Sequence, residues 1–443
     1  MRRHPWRTVR RLRGLLRGRH WRLRLVFWGG AVLVGLSAVA LTELGNFANA
    51  RFLALYHRWP WAPFLASPAG LMLSLWLTRR FFPGAQGSGI PQVIAALSAR
   101  DTQSPARLLS VRIALGKILL TTIGLLAGAS IGREGPTVHV GASFTAAAGR
   151  LAAVRRPKIE RALVLAGGAA GIAAAFNTPI AGIMFAIEEL ARGFEDHASA
   201  TIIITILIAG LTAVAIEGNY TYFGVTEVAL APRAWLLVPA CGVAGGIAGG
   251  LFSRLVLDLG LRLRVVLAQH PYRLALGAGL VIAVLGAISG GSSFGTGYPQ
   301  ARALVLGSAQ LPWSFPLTKW LASLVSYLSG IPGGLFAPAL ATGAGFGADI
   351  GRLFPHAPLQ AAVILGMVSY LSGTVQTPIT AFVIVMEMTA NNGMLFPLMA
   401  AAFIATLTSQ LICREPIYQG LAARFLARTP TAATAAEDYH GPA

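Results

Sequence analysis

"GPTVHVGASFTAAAGRL" occupies residues 135–151, and "APALATGAGFGADIGRL" occupies 337–353. Pro136, Gly141, Phe144 and the closing Gly-Arg-Leu of the first return 202 positions later, as Pro338, Gly343, Phe346 and residues 351–353. Further out, "GSGIPQ" (87–92) returns as "GTGYPQ" (295–300). "NTPIAGIMFAIEE" (177–189) returns as "QTPITAFVIVMEM" (376–388), keeping Thr-Pro-Ile and its first glutamate. Three blocks in one order, at offsets of 208, 202 and 199, are an internal duplication. The chain divides accordingly into a basic segment at 1–24, a first repeat at 25–230, a second at 234–420 and a short tail at 421–443, where no regulatory domain is expected.

The repeats are built of membrane material. Of 443 residues 55% are hydrophobic and only 12% charged, against about 25% charged in soluble domains. Mean hydropathy is +0.64. Long apolar runs include "LVFWGGAVLVGLSAVAL" (25–41) and "LFPLMAAAFIATLTSQLI" (395–412). Others are short or broken by glycine and proline. Such backbone is tolerated at membrane depth only where protein buries it or it lines a wet cavity. These features predict an all-α polytopic membrane protein with broken helices, a transporter or channel in which the site lies where duplicated halves meet.

The net charge of +20 is a matter of topology. Arginines crowd "MRRHPWRTVRRLRGLLRGRHWRLR" (1–24) and "GRLAAVRRPKIERA" (149–162), segments that flank spans. Lysine and arginine gather in cytoplasmic loops, so a cytoplasmic N-terminus is expected and nucleic acid is not a partner. Contact of the N-terminal segment with anionic lipid fits the same charge. The two cysteines, Cys241 and Cys413, suggest no disulfide framework.

Each glycine-proline motif precedes an apolar helical stretch. Proline suits the first turn of a helix, and the turn exposes N–H groups and the positive end of the helix dipole. Several such starts converging at mid-membrane make an anion site that needs no full cation. The candidates are the helices after "GSGIP", "GREGP" (132–136) and "GIPGGLFAP" (330–338), with Ser88 offering a hydroxyl. Glu134 is an acid in apolar surroundings, which marks a functional residue. It is expected just ahead of a helix starting at Gly135. Its carboxylate would fill the anion position and vacate it on protonation. Arg133 is expected to be structural, facing a carbonyl or an interface.

These motifs, in this order and spacing, resemble the CLC family of chloride channels and chloride/proton exchangers, from about Arg80 to Leu426. The resemblance implies a CLC-type inverted repeat of tilted and broken helices, assembled as a homodimer with one pore per subunit. It implies chloride as the transported ligand, protons as the counter-ion, no cofactor, no bound metal and no enzymatic activity. Carried over residue by residue, Glu134 is the gating glutamate and Glu189 the internal proton-transfer glutamate. Ser88 and Tyr418 ("EPIYQGL", 415–421) are side-chain donors to the anion, and Leu335 and Phe336 donate backbone amides. Glu188 is structural, since the repeat returns Glu387 at its position. Lys117 matches a membrane-embedded lysine of bacterial exchangers, and the resemblance as a whole implies a bacterial inner membrane.

Some residues depart from that pattern or leave a choice open. Gln92 and Ile94 stand where related exchangers carry acids, so Lys117 needs another partner. His139 is expected to pack and hydrogen-bond rather than shuttle protons. A chloride/proton antiporter is the leading reading and a passive chloride channel the alternative. Glu189 favours exchange, although pairing with Arg192 would make it structural. A serine hydrolase built on Ser292 or Ser293 is set aside, because "GGSSFGTG" (290–297) is explained by the repeat.

Overall fold

The computed structural model describes residues 18–99, 108–154, 156–191 and 200–426, with side chains from Trp21 onward. Among them are seventeen α-helices, one π-helical turn, one short 3₁₀ turn and no strand. The first half holds α1 (Gly18–Arg58), α2 (Pro63–Arg80), α3 (Ile90–Ser98) and α4 (Val111–Leu126). It continues with α5 (Glu134–Leu151), α6 (Pro157–Phe176), α7 (Pro179–Phe185) and α8 (Ala200–Glu217). The second half opens with α9 (Leu237–Gln269), α10 (Pro271–Ile288), α11 (Tyr298–Val305) and α12 (Phe315–Leu328). It closes with α13 (Phe336–Arg352), α14 (Leu359–Val375), α15 (Pro378–Thr389), α16 (Leu395–Ile412) and α17 (Ile417–Leu426).

Helix lengths match the broken apolar runs. Among the described residues, six helical segments are long and apolar enough to cross a bilayer, including Trp21–Arg58, Ala200–Glu217 and Leu395–Ile412. Others, such as α3, α7 and α11, are far too short to span and lie against the rest of the protein. Proline opens the first turn of α3, α6, α7 and α15, where its missing N–H costs no hydrogen bond. Residues 18–24 of the basic N-terminal segment form the start of α1, with the Arg24 guanidinium 5.6 Å from the Trp21 ring centre.

Small residues let the central helices touch backbone to backbone. A Cβ on Gly141 of α5 would strike the Gly167 carbonyl of α6, and one on Gly343 of α13 would strike the Gly366 carbonyl of α14. With lipid as solvent, close packing of this kind replaces the hydrophobic drive between helices.

The duplication is written into the hydrogen bonds. Arg150 Nη2 donates to the Leu109 carbonyl at 3.0 Å, and Arg352, 202 positions on, donates to Leu311 at 2.6 Å. Gly132 and Gly334 exchange two N–H to carbonyl bonds of 2.7 Å across an antiparallel bridge. The Glu188 carboxylate accepts from the N–H groups of Ile379 (3.1 Å) and Thr380 (2.6 Å). Glu387 returns the contact, accepting from Ile180 (3.2 Å) and Ala181 (2.7 Å). Reciprocal pairing of equivalent residues requires a two-fold relation between the halves, and the antiparallel bridge shows their chains running in opposite senses there. The fold is an inverted repeat.

Candidate functional site where helix starts converge

Three glycine loops meet in the interior. Gly87 donates to the Ile331 carbonyl at 3.2 Å and accepts from Gly333 at 3.1 Å, which ties "GSGIP" to "GIPGG". The Gly132–Gly334 pair ties "GREGP" to the same segment. Gly89 holds a left-handed backbone at φ 106° just before α3, a conformation that costs glycine little. A side chain there would also hit His139 and the Gly135 carbonyl, so the three loops close on one another without room to spare.

Glu134 is the first residue of α5 rather than the residue before it, with Arg133 in the capping position. It is fully buried. One carboxylate oxygen accepts from the Ala337 N–H in the first turn of α13, at 3.3 Å. The other finds no hydrogen-bond partner among the described residues. The carboxylate of one half therefore sits on a helix start of the other, where N–H groups have no intrahelical acceptor. Arg133 turns away, donating to the Thr42 carbonyl (2.9 Å) and to Asn46 Oδ1 (2.7 Å).

Ser88 is buried beside the start of α5, its hydroxyl lying where a Cβ on Gly135 would be. Tyr418, one residue into α17, is buried too, and its ring stacks on Phe336 at 6.0 Å with 10° between planes. The Tyr418 hydroxyl lies near Ser88 and within electrostatic reach of Glu189, Tyr327 and Glu134. Neither hydroxyl closes a hydrogen bond within the described residues. A buried hydroxyl without a partner costs about 1–3 kcal/mol, and two such hydroxyls close together suit an acceptor. Leu335 caps α13 and Phe336 begins it, so their backbones lie at the same helix start. The structure thus brings Ser88, Glu134, Leu335, Phe336 and Tyr418 into one neighbourhood.

Glu189 approaches from another side. A continuous helix from Pro179 is expected from sequence, but α7 ends at Phe185 and a π-helical turn covers Ala186–Leu190. The Ala191 N–H bonds the Ala186 carbonyl at 2.9 Å, five residues back. The two adjacent acids point different ways: Glu188 reaches α15, while Glu189 is buried and its carbonyl accepts from Gln419 Nε2 at 3.3 Å. Such π turns are frequent at functional sites. Arg192, the other candidate partner, lies outside the described residues.

The family matching this arrangement is described as voltage gated chloride channel, and the match runs over residues 70–410. The chain belongs to that family. Solved members share its fold. A slow cyanobacterial Cl⁻/H⁺ antiporter superposes with a TM-score of 0.79 at 25% identity, over 92% of this chain and 99% of that one. A CLC-type fluoride/proton antiporter gives 0.76 at 23% identity, over 90% and 97%. A eukaryotic CLC transporter gives 0.73 at 20% identity, over 91% and 74%.

Within this CLC fold the question of Lys117 has a direct answer. Its ammonium is buried and donates to the carbonyls of Ala85, Gln86 and Gly87, the residues that lead into Ser88. Gln92 secures the same loop through the Gly84 (3.2 Å) and Gln86 (2.6 Å) carbonyls, so carbonyls take the place of an acid. His139 packs under the loop, with Nε2 2.9 Å from the Leu108 carbonyl. The hydroxyls of Ser292 and Ser293 bond within their own turn, to Ser289. Sequence reasoning misses two residues. Lys319, which holds the Ser293 and Gly295 carbonyls, is reachable from Lys117 by the 202-residue offset. Tyr327, beside Ser88 and Tyr418, carries no motif that marks it.

Proposed function

We propose that the protein exchanges chloride for protons across the membrane. The observation that carries this reading is the Glu134 carboxylate resting on the Ala337 N–H, a position suited to an anion. Ionised, Glu134 occupies that place and blocks it. Protonated, it loses its charge and its hold on the helix start, and a chloride takes its place. Chloride flux therefore rises as pH falls. Ser88 and Tyr418 donate hydroxyls to a central chloride below the gate, and the amides of Leu335 and Phe336 complete the shell. One hydroxyl from each half suits a monatomic halide, so chloride is the physiological ion and bromide a passenger.

Exchange also needs an inner proton acceptor off the anion path. Glu189 has that role, and its burial beside the Tyr418 segment supports it. The protein works as a homodimer with one pore per subunit, its N-terminus in the cytoplasm of a bacterial cell. The passive-channel alternative keeps Glu134 as an acid-sensitive gate and leaves Glu189 without a transport role.

The deciding experiment is simultaneous recording of chloride and proton flux from purified protein in liposomes. Protons driven uphill by a chloride gradient are expected. In Glu189→Gln, chloride flux should survive and proton flux should vanish. Chloride flux with no proton movement in the native protein would make it a channel.

A further inference from the structure

We propose that Ser323 and Ser326 are positioning residues for Glu134, acting through Ser130; the proposal rests on Glu134 being the gate. Lys319, Ser323 and Ser326 recur at i, i+4 and i+7 on α12, so they share one face of that helix. All three are buried. The Ser130 N–H donates to Ser326 Oγ at 2.9 Å, and the Ser130 and Ser323 hydroxyls meet at 2.9 Å. Ser323 gives its own proton to the Lys319 carbonyl at 2.8 Å, so Ser130 is the donor between the two hydroxyls. Ser130 thus commits both its protons to α12.

Ser130 stands four residues before the gate, and Gly132 between them is fixed to Gly334 in both directions. The loop is therefore gripped by α12 at one end and by the start of α13 at the other. The Glu134 bond to Ala337 is long, at 3.3 Å, and a small shift of the loop would break it. The other half has no such grip. At the same offset α4 carries Lys117, Thr121 and Gly124, and Pro332 stands where Ser130 would be. Thr121 is buried with its hydroxyl unpartnered among the described residues, glycine offers no side chain and proline no N–H. The lysine clamp is common to both halves, whereas the serine tether serves the gate alone.

The test compares Ser323→Ala, Ser326→Ala, Ser130→Ala and Ser323→Thr, each in native and Glu134→Gln protein. Chloride and proton fluxes are recorded together in liposomes from acid to neutral pH. In the native background the alanine variants should raise neutral-pH chloride flux by about 2- to 10-fold, the equivalent of one neutral hydrogen bond. They should lower the proton-to-chloride ratio and flatten acid activation. Ser323→Thr, which keeps the hydroxyl, should behave as native. In Glu134→Gln none of them should change flux. An unaltered ratio and pH profile, or an equal change in both backgrounds, would overturn the positioning role while leaving the gate intact. Retained coupling in Glu134→Gln itself would overturn both. Should Ser326→Ala fail to fold, Ser130→Ala still decides, since it keeps the Ser130 N–H bond and removes only the hydroxyl.

Discussion

Glu134 and Phe336 stand 202 positions apart in sequence, and each is the first residue of its helix, α5 or α13. The capping residues before them, Arg133 and Leu335, share one backbone conformation, and Gly132 and Gly334 pair with each other. The two helix-opening side chains are opposite in character. One half presents a carboxylate that bonds across to the other half's helix start, and the other half presents a ring that stacks on Tyr418. A second difference lies in the next repeated block. "AIEEL" winds into a π turn that carries two acids, whereas "VMEMT" stays α-helical to Thr389 with one acid. Symmetry supplies the cradle, and departures from symmetry supply the chemistry.

The largest expected effect tests the gate side of this contrast. Glu134→Gln should bring proton flux to leak level while chloride flux persists at all pH values, as read in liposomes. Persistent proton pumping would place the functional asymmetry elsewhere.

Next come the two lysines, which should differ in both stability and binding. Lys319→Met strands the Ser293 and Gly295 carbonyls, whereas Lys117→Met strands only that of Ala85, because Gln86 and Gly87 keep bonds from Gln92 and Gly333, at about 1–3 kcal/mol for each stranded group. Thermal unfolding in detergent should show the larger loss for Lys319→Met. Only Lys117→Met should also weaken chloride binding by calorimetry, because its loop carries Ser88.

The reciprocal glutamates give a stricter test of equality. Glu188→Gln and Glu387→Gln each weaken two N–H contacts to a charged acceptor, a contact of a class worth about 1.5–3 kcal/mol. Matched stability losses and retained coupling are expected. A loss of coupling in Glu188→Gln alone would give that acid a share in proton transfer.

The smallest effects belong to the hydroxyls. Ser88→Ala and Tyr418→Phe should each weaken chloride binding by roughly 2- to 10-fold, with folding preserved. Bromide-soaked crystals should show the anomalous peak between the two residues. A peak remote from both would move the central anion.

Much of this architecture is legible in the sequence. The repeat offsets announce which residues correspond, and Glu387 marks Glu188 as structural because a repeated acid serves the shared scaffold. Glycine and proline place the helix starts, since few residues tolerate those turns. The π turn is not legible, because one residue of phase depends on tertiary packing, here against α6 and α3, and not on "AIEEL" alone. The Ser130 tether is equally hidden: its partners lie 193 and 196 residues away, and serine carries no directional signal in sequence.

The reciprocal glutamates also bear on how the chain is made. The N–H groups of Ile180 and Ala181 have their acceptor 206 to 207 residues downstream. At a synthesis rate of about 5–20 residues per second, roughly 10–40 seconds pass before Glu387 emerges. In hydrocarbon an unsatisfied N–H is costly, so the first half waits in the bilayer as an incomplete body. A nascent chain arrested before residue 387 should therefore be a good substrate for membrane chaperones and proteases, and release from them should coincide with the arrival of α15.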